Sequence, residues 1–338
     1  MLMNRELELW KFAAGKLERG ESVMLLVVAE SVGSSPGRQG FKMIVAGDDL
    51  AGSIGGGVME VGLVQSAKCK VQSVKSKNDT RIIEQIHQKN SPNSSGMICS
   101  GRQTVIFFQL NSAHLKTVRE IIRALEKHQP CRLQISNFKF QIIEKPPEGG
   151  TQNEDFKFER KSENEFLYEE KLGFKNKLFI IGGGHCALAL SGIMSKMDFY
   201  ISLFDDRADL NTLAKNRFVH QKKIIDSYQN IGEFIEAGAN HYVVVMTLGY
   251  KFDEIVIRAL FDKKFKYFGV LGSKAKMKIL LKSLEKEGFD KEKLARIHTP
   301  IGLPINSRTP EEIAVSIAAE IIAVKNSGDV LICMAQID

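Results

Sequence analysis

Three features predict an α/β chain, with an amino-terminal mixed α/β domain followed by a doubly wound parallel-sheet domain. Strand-sized apolar runs alternate with apolar residues at helical spacing. The alternation is irregular before Glu144 and regular after Lys177, where strand and helix follow each other as in open parallel sheets. Between the two lies a break in composition. Pro146-Pro147 and Gly149-Gly150 interrupt the chain, and charged residues then alternate with Phe156, Phe158, Phe166 and Tyr168. The length of 338 residues suits about two domains. The boundaries are set at 1–145, 146–176 and 177–338, the middle stretch being a linker that forms a short exposed hairpin.

The first half opens on a helix with Leu7, Trp10, Ala14 and Leu17 on one side. Val23–Ala29 is uniformly apolar and reads as a buried strand, followed by a polar glycine loop and a strand over Phe41–Val45. Asp48-Asp49 marks a turn. Gly52–Gly57 is a second glycine loop, and a helix runs on from Val58. Arg81–His87 and Thr104–Leu110 read as strands. Leu115, Val118, Ile121, Ile122 and Leu125 define a helix, and Cys131–Ser136 with Lys139–Ile143 a hairpin across Asn137. In the second half, strands are expected at Lys177–Ile181, Phe199–Phe204, His241–Thr247, Lys266–Leu271 and Arg296–Thr299. Helices are expected at Cys186–Lys196, Gln229–Ala237, Asp253–Lys263, Lys274–Gly288 and Thr309–Lys325. The last has an N-capping Thr309, Pro310 at the first helical position and Glu312 to close a capping box.

Composition narrows the function classes. Hydrophobic residues make up 43% and charged residues 26%, an ordinary globular balance. The longest apolar runs are strand-sized, far short of the ~20 residues of a membrane span. The start lacks the basic-then-apolar order of a secretory signal. Cys69, Cys99, Cys131, Cys186 and Cys333 show no CxxC spacing and read as reduced thiols of a cytoplasmic protein. A net charge of +7 favours anionic small molecules or an acidic partner. Lys and Arg are spread along the chain, so a nucleic-acid face is not indicated.

Four loops carry chemistry. Gly182-Gly183-Gly184-His185-Cys186-Ala187 follows an expected strand, opens an expected helix and fits the G-x-G-x-x-G/A pattern. Such glycines let the backbone approach a phosphate at a helix N-terminus, the signature of a Rossmann-like fold. Asp205 ends the next strand, where an acid binds a ribose hydroxyl. Arg207 beside it keeps NADP or another phosphorylated ligand open. His185 sits in the turn itself, either as a ligand donor or as a capping residue. The second loop, Gly55-Gly56-Gly57 with Glu60, again turns amides toward an anion. The preceding Ser34, Ser35, Gly37, Arg38 and Lys42 add hydroxyls and cations, and together the two form a basic, glycine-lined cleft if they face each other. Cys99, beside Arg102 in a glycine loop, is a candidate soft-metal ligand or sulfur carrier, or else an inert thiol. Gly272, Ser273 and Lys274 end a strand and start a helix, at the sheet edge where ligands bind in open α/β folds. No catalytic residue is assigned.

These motifs resemble the xanthine dehydrogenase accessory (XdhC/CoxI) family. Ser34-Ser35-Pro36-Gly37 with Lys42-Met43, then Gly52–Gly57 with Glu60, resemble its amino-terminal domain. Gly182–His185, Asp205-Asp206-Arg207, Gly269–Lys274, Pro300–Leu303 and Thr309–Glu320 resemble its Rossmann domain. The resemblance implies a molybdenum cofactor (molybdopterin) chaperone more than a turnover enzyme. Such a protein supports sulfuration of the cofactor with a cysteine desulfurase and its insertion into a xanthine-dehydrogenase-like molybdenum hydroxylase. It also implies that Cys99 contacts the metal. The alternatives are an NAD(P)-dependent oxidoreductase or a nucleotide-binding regulatory protein, and a homodimer stays open. The chain departs from the family at Cys99-Ser100-Gly101, where Cys-Gly-Gly is usual, and at Gly182–Cys186, where Gly-Ala-Gly-His-Val is usual. It lacks both usual histidines in Thr247–Asp253.

Overall fold

The computed structural model describes residues 5–72, 80–87, 101–137, 139–143, 155–162 and 165–327. The chain divides into two units, residues 4–173 and residues 174–338 with the first three residues.

The first unit runs α1 (Arg5–Glu18), β1 (Val23–Gly33), β2 (Lys42–Ala46), β3 (Asp49–Gly52), α2 (Gly57–Gln72), β4 (Arg81–His87), β5 (Gly101–Leu110), α3 (Leu115–Glu126), β6 (Cys131–Ser136), β7 (Phe140–Ile143), β8 (Phe156–Ser162) and β9 (Glu165–Leu172). It holds two antiparallel sheets, ordered β3-β2-β1-β5-β4 and β7-β6-β9-β8. The uniform apolarity of β1 follows from burial on both faces. Val23, Leu25, Val27 and Ala29 join a core with α1, α3 and the second sheet, while Met24, Leu26 and Val28 pack with Leu63, Val64 and Ala67 of α2.

The stretch read as an exposed linker hairpin is a structural part of this unit. β8 and β9 pair with each other, and β9 pairs with β6. Phe166, Tyr168 and Leu172 are buried in the shared core. The charged residues around them suggested exposure, but β9 also buries Glu169 and Glu170. Buried carboxylates need partners, and Glu170 has one in Lys42 at 2.7 Å.

The second unit runs β10 (Asn176–Ile181), α4 (His185–Met194), β11 (Phe199–Asp205), α5 (Asn211–Lys215), β12 (Gln221–Ile224), α6 (Ile231–Phe234), β13 (Gly238–Val245), α7 (Tyr250–Leu260), β14 (Phe265–Val270), α8 (Lys274–Lys286), α9 (Lys291–Ala295) and α10 (Pro310–Asn326). Its sheet is parallel throughout, ordered β12-β11-β10-β13-β14. Chain order therefore reverses between β10 and β13, the switch point outside which open α/β sheets bind ligands. Leu178 and Ile180 of β10 face a core shared with α4 and α10, and Phe179 and Ile181 one shared with α7 and α8. The expected strand Arg296–Thr299 is a single parallel bridge between Gly269 and His298. The expected helix Gln229–Ala237 is a 3-10 turn, Tyr228–Asn230, followed by the short α6.

Candidate functional site

At the switch point β10 ends in the Gly182–Gly184 turn. Gly182 has φ +104°, and a Cβ there would lie 2.3 Å from the Met246 carbonyl oxygen, so only glycine fits. Gly183 donates its N–H to Asp205 Oδ2 at 2.5 Å, and its carbonyl accepts from the Thr212 hydroxyl at 2.6 Å. Gly184 caps α4 without a side chain, and a Cβ placed on it would meet nothing within 4 Å. His185, the first residue of α4, is exposed. Beside it an open depression of about 270 Å³ is lined by His185, Leu188, Leu210, Asn211, Thr212 and Lys215.

Asp205 and Arg207 overturn part of the sequence reading. Asp205 is fully buried. Its carboxylate accepts from Gly183, from the Arg207 backbone N–H at 2.9 Å, and from Arg207 Nε and Nη2, each at 2.9 Å. Burial alone would raise its pKa, but the Arg207 guanidinium and the two amides hold it below the usual carboxylate range. Asp205 thus binds the turn from beneath instead of presenting itself to a ribose hydroxyl. Arg207, offered to a phosphate by the sequence, is engaged with Asp205. Gly272, Ser273 and Lys274 do stand at the carboxyl end of β14. Ser273 caps α8 with a long 3.4 Å bond from the Lys276 N–H, and it and Lys274 are exposed.

In the first unit the two glycine loops touch, as the cleft expectation required. A Cβ on Gly37 would lie 2.2 Å from the Ile54 carbonyl oxygen, and one on Gly55 would lie 2.3 Å from the Gly37 nitrogen. Their polar groups, however, are largely engaged inside the protein. Glu60 Oε2 accepts from Ser53 Oγ at 2.7 Å, Ile54 N at 2.8 Å and Gly56 N at 2.9 Å. The anion in that nest is the protein's own. Ser35 is buried and donates to Gln103 Oε1 at 2.9 Å, which also accepts from the Gly37 N–H at 3.2 Å.

Lys42 is likewise no surface cation. Its side chain is 5% exposed, and Nζ lies 2.7 Å from Glu170 and 2.8 Å from Glu6. Burial works to lower its pKa, and the two carboxylates more than offset this, so it stays charged. Ser34, Arg38 and Gly57 are exposed, and Gly56 and Gly57 have open space where a Cβ would point. Cys99 lies outside the described residues.

Two anchoring residues were not picked out by sequence. Asp253 Oδ1 accepts from the Thr247 hydroxyl at 2.6 Å and its N–H at 3.2 Å, closing the loop after β13. Burial pushes the Asp253 pKa up. The signal was a Thr and an Asp flanking a glycine loop after a strand. Glu320, noticed only as part of the Thr309–Glu320 run, accepts from the Tyr267 hydroxyl and from the Gly302 N–H at 2.8 Å. It thereby clamps the Pro300–Leu303 loop.

Comparison with known proteins fits both halves. Residues 178–321 match the XdhC Rossmann domain, and residues 16–76 match the XdhC and CoxI family. The chain belongs to the XdhC and CoxI family. This XdhC-family chain is 28% identical over 157 residues to an Escherichia coli (strain K12) protein named Uncharacterized protein YqeB, covering 46% of this chain and 28% of that one. It is 29% identical over 158 residues to a Bacillus subtilis (strain 168) protein named as a probable xanthine dehydrogenase subunit, covering 46% of this chain and 45% of that one. The match thus spans less than half the length of either relative. A crystal structure of a protein named as a xanthine dehydrogenase, from Bacillus halodurans, shares the fold, with a TM-score of 0.72 at 20% identity over 96% of this chain and 97% of that one.

Proposed function

We propose that this XdhC-family chain is an accessory protein that binds molybdenum cofactor as cargo. It supports sulfuration of the cofactor, with a cysteine desulfurase, and its insertion into a xanthine-dehydrogenase-like molybdenum hydroxylase. The carrying observation is the Gly182–Gly184 turn. Its carboxylate, Asp205, is drawn beneath it and neutralised by Arg207, which leaves the start of α4, the open face of Gly184 and the exposed His185 toward solvent. Helix-terminal amides suit a phosphate group. Exposed Ser273 and Lys274 add a hydroxyl and a cation at the same sheet edge.

The donor set fits the phosphate-bearing end of the cargo. It does not by itself fit the metal: among the described residues no group of three His, Cys, Asp or Glu could hold an ion. The proposed soft contact to molybdenum or its sulfur is Cys99, on the strength of its glycine loop beside Arg102 and the resemblance to the family's cysteine turn, in keeping with thiolate chemistry. The NAD(P) reading loses the acid it needs, because Asp205 is engaged internally. A cytoplasmic site of action accords with the absence, among the described residues, of any helix long and apolar enough to cross a membrane.

Purification of the full chain from a molybdenum-replete host tests this reading. Pterin, detected by fluorescence after oxidation, and molybdenum, detected by mass spectrometry, are expected together, with molybdenum reduced in Cys99→Ser. Recovery of NAD(P) with neither pterin nor molybdenum would refute it.

A further inference from the structure

Helix α8 buries Met277, Leu280 and Leu284. Away from that side it carries Lys274, Lys278, Lys282 and Lys286, one every four residues and all exposed. This spacing stacks them into a ridge about 18 Å long. The ridge is locally unfavourable in two ways. Like charges four residues apart repel. Lysines in the first turn also oppose the positive end of the helix dipole, and no acidic residue stands there to compensate.

The acids nearest in sequence give no relief. Glu285 lies 3.6 Å from Lys291, and Glu287 lies 2.6 Å from Arg258. Among the described residues no carboxylate forms an ion pair with a ridge lysine. Ile279, 71% exposed, flanks the ridge, three residues before Lys282.

We propose that this face of α8 docks a protein whose surface presents carboxylates around a small apolar centre. The proposal goes beyond the cofactor reading and does not depend on it. Charge complementarity sets the partner's sign, with lysines forming the rim and Ile279 the dry contact. A nucleic acid fits less well, because Ile279 offers nothing to phosphate and the ridge has no aromatic ring for a base to stack on. A membrane surface fits less well too, because the apolar side of α8 faces the core.

A photo-crosslinking amino acid in place of Ile279, in the full chain in its native host, is expected to capture one acidic protein. The same residue in place of exposed Lys116 captures none. The captured protein, purified, is then titrated with the full chain between about 50 and 300 mM salt. Lys278→Glu with Lys282→Glu is expected to weaken binding at least about tenfold and flatten the salt dependence. Lys116→Glu with Lys139→Glu makes the same charge change elsewhere and alters affinity less than about twofold. The α8 double variant replaces three like-charge i,i+4 pairs of the ridge by one like-charge and two opposite-charge pairs and melts at or above the parent temperature, so its lost binding is not lost fold. No adduct at Ile279, an adduct with nucleic acid, or a captured protein that the α8 variant still binds like the parent would each overturn the proposal.

Discussion

The chain has two turns of three consecutive glycines, Gly55–Gly57 and Gly182–Gly184, and a carboxylate reaches each from a different side. In the first unit Glu60 comes from the helix that the turn starts and fills the nest, taking the amides of Ile54 and Gly56. In the second Asp205 comes from the neighbouring strand and binds only Gly183 from below, with Arg207 neutralising it. One turn is closed by the protein's own anion, and the other is braced so that its helix end stays open. Glycine spacing is the same in both. What separates them is where the nearest carboxylate is anchored, which only the fold decides.

The largest effect is expected where the first unit has turned a would-be ligand cation inward. Lys42→Ala leaves the buried Glu170, and the half-buried Glu6 beside it, without their lysine, a loss of about 3–5 kcal/mol. Denaturant unfolding of the full chain is expected to show a destabilised first unit. A loss of less than about 1 kcal/mol would mean that Lys42 is not internal and that the two units treat their polar groups alike.

Lys42 also shows what the sequence could and could not disclose. The parallel sheet, its glycine turn and the capping box at Thr309 were legible because each is written within a few adjacent residues. The partner of Lys42 was not, because Glu170 lies 128 positions away in a hairpin whose charged residues imitate a linker. Short elements such as β12 and α9 were missed for a related reason: four or five residues carry too little periodicity to read. Asp205 stood where expected at the end of its strand, but the direction of its carboxylate depends on Arg207 and on the approach of Gly183.

Two buried aspartates at the carboxyl edge of the second sheet give the next effect, with opposite signs. Asp205→Asn removes a charged partner from Arg207 and is expected to destabilise by about 1.5–3 kcal/mol at neutral pH. The folded-state pKa of Asp205 is depressed. Its contribution is therefore present above the ordinary carboxylate range near pH 4 and lost as the pH falls through the lower folded value. The asparagine variant loses that acid sensitivity. Asp253 has a raised pKa, so its contribution is present at low pH and lost as the pH rises from the ordinary range through the folded value. Asn at 253 keeps an oxygen acceptor for Thr247, and stability at neutral pH is expected to hold or rise. Thermal unfolding from pH 3 to 8 checks both, and parallel curves for the two variants would contradict the assignment.

Glu60→Gln is expected to have a smaller effect, about 1 kcal/mol, because the amide oxygen can still accept from Ser53, Ile54 and Gly56. Its value lies in a second readout. If the nest is closed by Glu60 alone, removing that charge raises the affinity of the first unit for inorganic phosphate, measured by calorimetry. Unchanged phosphate binding would show that the nest is too tight to admit a foreign anion.

The smallest effect on stability is the one that separates the two turns most sharply. At Gly56 φ is +77°, a conformation that L side chains resist, so Gly56→Ala is expected to lose about 1 kcal/mol although open space surrounds the new methyl. At Gly184 φ is −71°, and a methyl again meets nothing within 4 Å, so Gly184→Ala adds no backbone strain and costs only the N-cap preference for glycine over alanine, under about 1 kcal/mol. That methyl nonetheless stands at the first turn of α4, where a phosphate must approach the amides closely. Under the proposed function Gly184→Ala is expected to keep the fold and lose pterin and molybdenum on purification, while Gly56→Ala is expected to strain the fold and keep them. If the alanine at 184 retains its cargo and the alanine at 56 loses it, the open turn is the one in the first unit, and Glu60 is a gate that a ligand displaces.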